Sequence, residues 1–253
     1  MPTIPVALQV YTVRDVLAGD FVGVVKQIAE IGYAGIEIGG DLGGMSPAEF
    51  RAFVGDLGLS LAGNHVGIDA LEGNLDQVIE DNLAIGNPWI VCPWMPEDRR
   101  KDAAGWRSVA GVMSEIGAKV RAAGLQLCYH NHSFEFQRFD GETGFDIFYA
   151  AADPDLVQAE IDTYWVQHGG DDPAATIERF AGRAPLVHLK DMTPGDSPTF
   201  TEVGNGILDF PAIFAASEKA GVEWYIVEQD TCARPSLDSA RISFENLRKW
   251  GIA

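Results

Sequence analysis

Basic residues and cysteines are both scarce in this chain. Lys and Arg number 18 against 37 Asp and Glu, for a formal net charge of −19. A surface this acidic argues against nucleic acid or an anionic membrane as the partner and favours solubility. The three cysteines, Cys92, Cys128 and Cys232, stand far apart with no CxxC pair, so neither a zinc knuckle nor a disulfide framework is supported. They read as reduced thiols of a cytoplasmic protein, with Cys128 expected in the core rather than as a nucleophile. No apolar run reaches the roughly 18 residues of a membrane span. The start, Met1-Pro-Thr-Ile-Pro, runs straight into Val6-Ala-Leu-Gln-Val with no basic or apolar leader region, so no signal peptide is expected. No GxGxxG follows the first strand-like run, which weakens a doubly wound dinucleotide-binding sheet as the rival fold. No Gly-rich loop carries a Lys that would cradle phosphate.

What the sequence has is alternation. Short β-rich runs occur at Val6–Val10, Gly35–Ile38, Leu59–His65, Trp89–Cys92, Gln126–His130, Val157–Asp162, Ala184–Lys190 and Trp224–Glu228. Amphipathic stretches lie between them, at the spacing of βα units. Phe21–Ile31 repeats apolar residues every three to four positions. Ser46-Pro-Ala-Glu has the form of an N-cap, Pro at N1 and Glu at N3, and Asp172-Pro-Ala-Ala repeats the cap-then-Pro logic. Further helices are expected over Trp106–Ala123, Pro211–Ala220 and Ser236–Trp250. Gly32, Gly58, Gly124 and Gly221 each end a helix just before a strand, as C′ glycines do. Thr193–Gly206 is the longest irregular stretch. The 253 residues match the roughly 250 of a (β/α)8 barrel. The expected fold is therefore α/β, a single TIM barrel domain over residues 1–253.

Chemistry in such a barrel gathers at the C-terminal ends of the strands, and the ionisable residues gather there too. Glu37 comes late in the second run and His65 ends the third. Tyr129-His-Asn-His-Ser-Phe-Glu leaves the fifth, Glu160-Ile-Asp-Thr-Tyr-Trp the sixth, Val187-His-Leu-Lys-Asp the seventh and Val227-Glu-Gln-Asp the eighth. Of the five histidines, His65, His130, His132 and His188 fall at strand ends; His168 reads as a loop residue without a catalytic role. Carboxylates and imidazoles from separate strands can converge on one divalent ion, Mn²⁺, Mg²⁺, Co²⁺ or Zn²⁺. His188 and Lys190, two apart, share a strand face; facing outward they would set a Lys against a helix. Asp162 follows an apolar run, and a buried carboxylate there needs a cation or donors. Of His130 and His132, one is expected near substrate and one structural. Trp94, Tyr164 and Trp165 fit sugar stacking and packing equally well.

Leu8-Gln-Val-Tyr-Thr-Val-Arg-Asp, Tyr129-His-Asn-His-Ser-Phe-Glu-Phe, Asp162-Thr-Tyr-Trp, Val187-His-Leu-Lys-Asp and Val227-Glu-Gln-Asp, in this order, resemble the sugar phosphate isomerase/epimerase family with the xylose isomerase-like TIM barrel. The resemblance runs from the first strand to the last helix. It implies one metal ion, often Mn²⁺, held by Glu, Asp, His and Glu from the ends of strands five to eight. The last three fall on Asp162, His188 and Glu228. The first departs, because the matching place in strand five lies near Cys128; Glu135 or Glu142, farther along, would have to serve. In that respect, and in the His-Leu-Lys-Asp run, the chain is similar to the inosose dehydratase branch.

The resemblance implies proton removal next to a carbonyl through a metal-stabilised enediolate. With the metal given to Glu135, Asp162, His188 and Glu228, a base would be Glu228 or Glu135 if not committed to it. His132, His65 and Lys190 would donate to substrate oxygens or shuttle protons. The expected activity is that of a sugar isomerase or epimerase on a small sugar-like molecule. The alternative is a dehydratase or lyase that eliminates from an inosose or 3-keto sugar. A metal-dependent endonuclease of the same architecture is disfavoured by the net charge and the few histidines. A non-catalytic sugar-binding barrel would not need the Glu/Asp/His/Glu set. Oligomeric state is not readable.

Overall fold

In the computed structural model, which describes residues 4–253, eight short buried strands alternate with helices. The first three residues of the start read for a leader lie outside the described residues. The strands are β1 (Val6–Gln9), β2 (Gly35–Ile38), β3 (Ser60–His65), β4 (Trp89–Cys92), β5 (Gln126–His130), β6 (Val157–Asp162), β7 (Leu186–Leu189) and β8 (Trp224–Val227). Each pairs in parallel with its neighbours in sequence, and β1 pairs with β8, so the sheet closes on itself. All eight expected runs are strands, and the architecture is a single (β/α)8 barrel.

The main helices are α1 (Phe21–Ile31), α2 (Pro47–Asp56), α3 (Leu75–Ile85), α4 (Ala103–Ala122), α5 (Gly144–Ala151), α6 (Pro173–Arg179), α7 (Phe210–Ala220) and α8 (Ser236–Lys249). Their starts follow from caps. Ser46 and Glu49 form a reciprocal capping box on α2. Asp172 accepts the Ala175 N–H at the head of α6. Asp102 accepts the Gly105 N–H, which starts α4 a few residues earlier than its apolar pattern indicates. The four glycines before strands all have positive φ, from 72° at Gly58 to 117° at Gly32. Helices α3 and α5 go beyond the sequence expectation. Leu75 follows an Asn74 that makes no side-chain cap, and α5 is apolar nearly all round. Among the described residues no helix is long and apolar enough to cross a membrane.

Alternation along the strands separates two cores. Val6, Leu8, Leu127, Tyr129, Val187, Leu189, Tyr225 and Val227 pack outward under the helices. Ala7, Ala62, Trp89, Val91, Cys128, Leu186 and Ile226 contact one another from six strands. In a closed barrel such a cluster can only be the interior. Cys128 is thus a core residue, as expected. Side chains two positions farther on share that inward face: Gln9, His130, His188 and Glu228. The barrel floor is apolar and its upper layer is ionisable.

Packing of α4 gives a paired test. Gly111 is exposed with open space around it, whereas a Cβ at Gly117 would collide with the Leu156 carbonyl oxygen. Gly111→Ala should stabilise by about 0.5–1 kcal/mol through helix propensity. Gly117→Ala should destabilise by about 1–2 kcal/mol, overpacking outweighing the same gain. Urea unfolding of both variants checks this; equal effects would refute the close approach.

Candidate metal centre and active site

Strand pairing brings the upper-layer residues to one place. His130 on β5 pairs with Glu160 on β6, and Asp162 pairs with His188 on β7. On the opposite wall, Glu37 lies between Gln9 and Gly63. A register shift between Ile36 and Glu37 skips Ala62 and sets Gly63 there. A Cβ at Gly63 would collide with Glu37 Oε1, so the glycine leaves room for the carboxylate.

Two overlapping groups of four residues have ligand atoms that all lie within 4.8 Å of one another: His130, Asp162, His188 and Glu228, and His65, His130, Glu160 and His188. His188 Nδ1 lies 3.0 Å from Glu228 Oε2, and its Nε2 lies 2.7 Å from Glu37 Oε2 and 3.3 Å from Glu160 Oε2. His130 Nδ1 lies 2.8 Å from Glu160 Oε2. His65 Nε2 sits 3.1 Å from both Glu37 Oε2 and Glu160 Oε2. Lys190, only 1% exposed, has its ammonium 3.1 Å from Asp162 Oδ2, 2.9 Å from Glu228 Oε2 and 2.7 Å from Asp230 Oδ1. Asp162 divides its carboxylate: Oδ1 accepts the Trp165 N–H and caps the short helix Thr163–His168. Its Oδ2 is buried without a hydrogen-bond partner, as are Glu37 Oε1 and Glu160 Oε1. Each group of four offers imidazole nitrogens and carboxylate oxygens close together and largely buried, and this N/O donor set suits Mn²⁺, Co²⁺ or Zn²⁺.

Charge states follow from these neighbours. Burial opposes a charge on His65, but Glu37 and Glu160 outweigh it and raise its pKa to about 10. Burial likewise opposes the charge on His188, and the same carboxylates raise it well above the usual histidine value. His130 is driven the other way by burial and by His188. His132 is lowered to about 3 by burial and by Lys190. Burial lifts Asp162 to about 6 against the pull of Lys190.

A cavity of about 680 Å³ reaches the edge of the cluster through His65, His130 and Glu228, and its lining also includes His132, Lys190 and Trp94; Asp162, His188, Glu37 and Glu160 are fully buried behind it. Tyr11 and Trp94 stand at its mouth, 51% and 48% exposed. Trp94 is thus open to a ligand, whereas Tyr164 is buried and stacks on Phe200. His130 and His132 both line the cavity. Glu135 is fully buried and belongs to neither group of four; it accepts from the Tyr129 hydroxyl at 2.6 Å and the His132 N–H at 2.8 Å. Glu142 is exposed on a two-residue strand, also outside both groups. His168 lies outside both groups as well. Gln9, Glu37 and Glu160 join the site without having been assigned roles from the sequence. Glu160 and Asp162 are two apart on one strand, a same-face signal that was present. Asp191, next to Lys190, is structural: it accepts N–H groups of Gly204, Gly206 and Leu208 and pins the irregular loop.

A family model described as xylose isomerase-like TIM barrel matches residues 25–250. The chain belongs to this family. Among curated relatives of this xylose isomerase-like barrel, an inosose dehydratase of Geobacillus kaustophilus is 26% identical over 249 residues, covering 82% of this chain and 79% of the relative. Among solved structures, a sugar phosphate isomerase/epimerase of Parabacteroides distasonis is 25% identical with TM-score 0.81, covering 97% of this chain and 94% of the other. The fold is also shared with the IOLI protein, solved with a zinc atom, at 13% identity and TM-score 0.75, with 98% and 96% of the two chains covered.

Glu135 carries a pH signature of its own. Burial pushes its carboxyl up to about 8, against the Tyr129 and His132 donors, from an ordinary 4.5. Between those values the folded protein holds a proton that the unfolded chain has released, so the Glu135 contribution to stability falls as pH rises from about 4.5 to about 8. The difference in unfolding free energy between wild type and Glu135→Gln should therefore shift in favour of the variant across that window. A difference flat with pH would show that Glu135 is ionised throughout.

Proposed function

We propose that this barrel is a metal-dependent enzyme that removes a proton from the carbon beside a carbonyl in a sugar or cyclitol ketone. The observation that carries the reading is the convergence of His130, Asp162, His188 and Glu228, of which His130 and Glu228 line the cavity and Asp162 and His188 lie buried beside them. These four are the proposed ligands. His130 stands on the inward face of β5, at the strand end where the resemblance calls for a carboxylate, and it takes the place offered to Glu135 or Glu142. Mn²⁺ is the expected ion; when bound, it supplies Lewis acidity to a carbonyl and an adjacent hydroxyl oxygen. The three free thiols suit a reducing, cytoplasmic setting.

The remaining chemistry belongs to the side chains. Lys190 keeps its proton because Asp162, Glu228 and Asp230 together outweigh burial, so it can donate to a substrate oxygen or a departing hydroxyl. His132 is neutral, and its buried Nδ1 has no partner; it can hydrogen-bond a substrate oxygen. Glu228 is the candidate base if its carboxylate is not committed to the ion. Glu135 supports the His132 backbone instead of facing the cavity. With Glu135 withdrawn, one of the two bases offered by the resemblance does not reach the cavity. Elimination needs one base and one acid, and the curated inosose dehydratases favour that outcome. Isomerisation or epimerisation is the second reading, supported by the likeness to the Parabacteroides protein over nearly the whole chain.

Two experiments test this. Metal analysis should find one ion per chain bound at these four residues and a loss of it in Asp162→Ala/His188→Ala; undiminished content would sink the assignment. The loaded enzyme, screened in D2O against ketoses, inososes and 3-keto sugars, should place deuterium beside the carbonyl or release water to leave an unsaturated ketone. Lys190→Met should keep the metal but lower kcat/KM by about 10²–10⁴-fold. No exchange or product across the panel would overturn the reading.

A further inference from the structure

Glu37 and Glu160 are fully buried beneath the site, and the proposed reaction uses neither. Each nevertheless faces a ring nitrogen of a proposed ligand. In His188, Nε2 meets Glu37 Oε2 at 2.7 Å while Nδ1 looks toward Glu228. In His130, Nδ1 meets Glu160 Oε2 at 2.8 Å while Nε2 looks toward Asp162 Oδ2 at 3.7 Å. A neutral imidazole has one N–H and one lone pair, and a ligating ring keeps its proton on the nitrogen away from the ion. The two rings are thus turned in opposite senses, each with its shortest carboxylate contact to a different glutamate; Glu160 Oε2 also lies 3.3 Å from His188 Nε2, farther than Glu37 Oε2.

We propose that Glu37 and Glu160 are positioning residues that fix opposite tautomers: Nε2–H in His188, freeing Nδ1 for the ion, and Nδ1–H in His130, freeing Nε2. The proposal rests on the four-residue ligand set above. Other contacts hold the two carboxylates in place. Gln9 Nε2 donates to Glu37 Oε2 at 2.8 Å. His65 Nε2 lies 3.1 Å from both acceptor oxygens and bridges them. Gly63 leaves the recess for the other oxygen of Glu37. His65 therefore acts through the carboxylates, two contacts removed from the ion.

The test uses the full chain loaded with Zn²⁺, which is diamagnetic, and ¹⁵N-labelled histidine. Five histidines make the long-range ¹H–¹⁵N spectrum assignable by substitution. His188 should show Nδ1 ligation with an Nε2 proton, and His130 the reverse. Glu37→Leu should disturb the His188 pattern alone and weaken Zn²⁺ binding about 10–100-fold in chelator competition; Glu160→Leu should weaken it similarly and disturb His130 most, with a smaller change at His188 across the 3.3 Å contact. Glu37→Gln and Glu160→Gln, whose carbonyls still accept the N–H, should restore the tautomers and most of the affinity. They also keep the test decisive if a leucine variant fails to fold. Ligation of His130 through Nδ1, or Zn²⁺ binding abolished by Glu160→Leu, would mean that Glu160 is itself a ligand and would overturn the proposal. So would tautomers and affinity unchanged in the leucine variants. Zn²⁺ binding undiminished in Asp162→Ala and Glu228→Ala would instead refute the ligand set, a separate failure.

Discussion

Four carboxylates, those of Glu37, Glu160, Asp162 and Glu228, are enclosed in the upper layer of one barrel. Ionised carboxylates cannot be left unpaired in such a place. Nearly every polar residue of the interior can be understood as an answer to that constraint. Lys190 answers Asp162 and Glu228. His188 answers Glu37 and Glu228. His65 stands between Glu37 and Glu160. Three oxygens remain without a hydrogen-bond partner, at Glu37, Glu160 and Asp162.

Below that layer the barrel is filled by Trp89, Val91, Leu186 and Ile226, with small residues Ala7 and Ala62 among them. The apolar floor gives the ionisable groups a rigid base, because close-packed interiors resist displacement. Helix caps extend the same economy to the rim. Asp162 turns one oxygen to the helix after β6 and the other to Lys190, so a single residue starts a helix and faces the cluster. Asp191 uses its carboxylate to fold the loop that follows Lys190.

Much of this was legible in the sequence. The eight strands were, because apolar runs bounded by C′ glycines recur at a βα spacing. So was the grouping of Asp162, His188, Lys190 and Glu228, since same-face residues at strand ends must converge above a barrel. The place of His130 was not. Expecting a carboxylate at strand five pointed toward Glu135, whose acidity alone could not reveal that Tyr129 and the His132 amide would turn it away from the cavity. Glu37 was visible as a strand-end acid, but its partners are 28 and 151 residues away, and no local pattern announces contacts of that range. Helix α5 escaped because a segment buried on nearly all sides has no amphipathic stripe to read.

The two-residue alternation of β5 to β8 has a consequence for how such a protein could diverge. Removing one residue from β7 would turn Val187 and Leu189 into the barrel and His188 and Lys190 out under the helices. Every ligand strand carries the same all-or-nothing parity. Length changes are therefore tolerable only in the loops and helices, while the strands can drift only by replacement at fixed positions. A lineage on this scaffold could refashion the mouth around Tyr11 and Trp94 freely, yet would keep the same few rungs of the ladder for its chemistry.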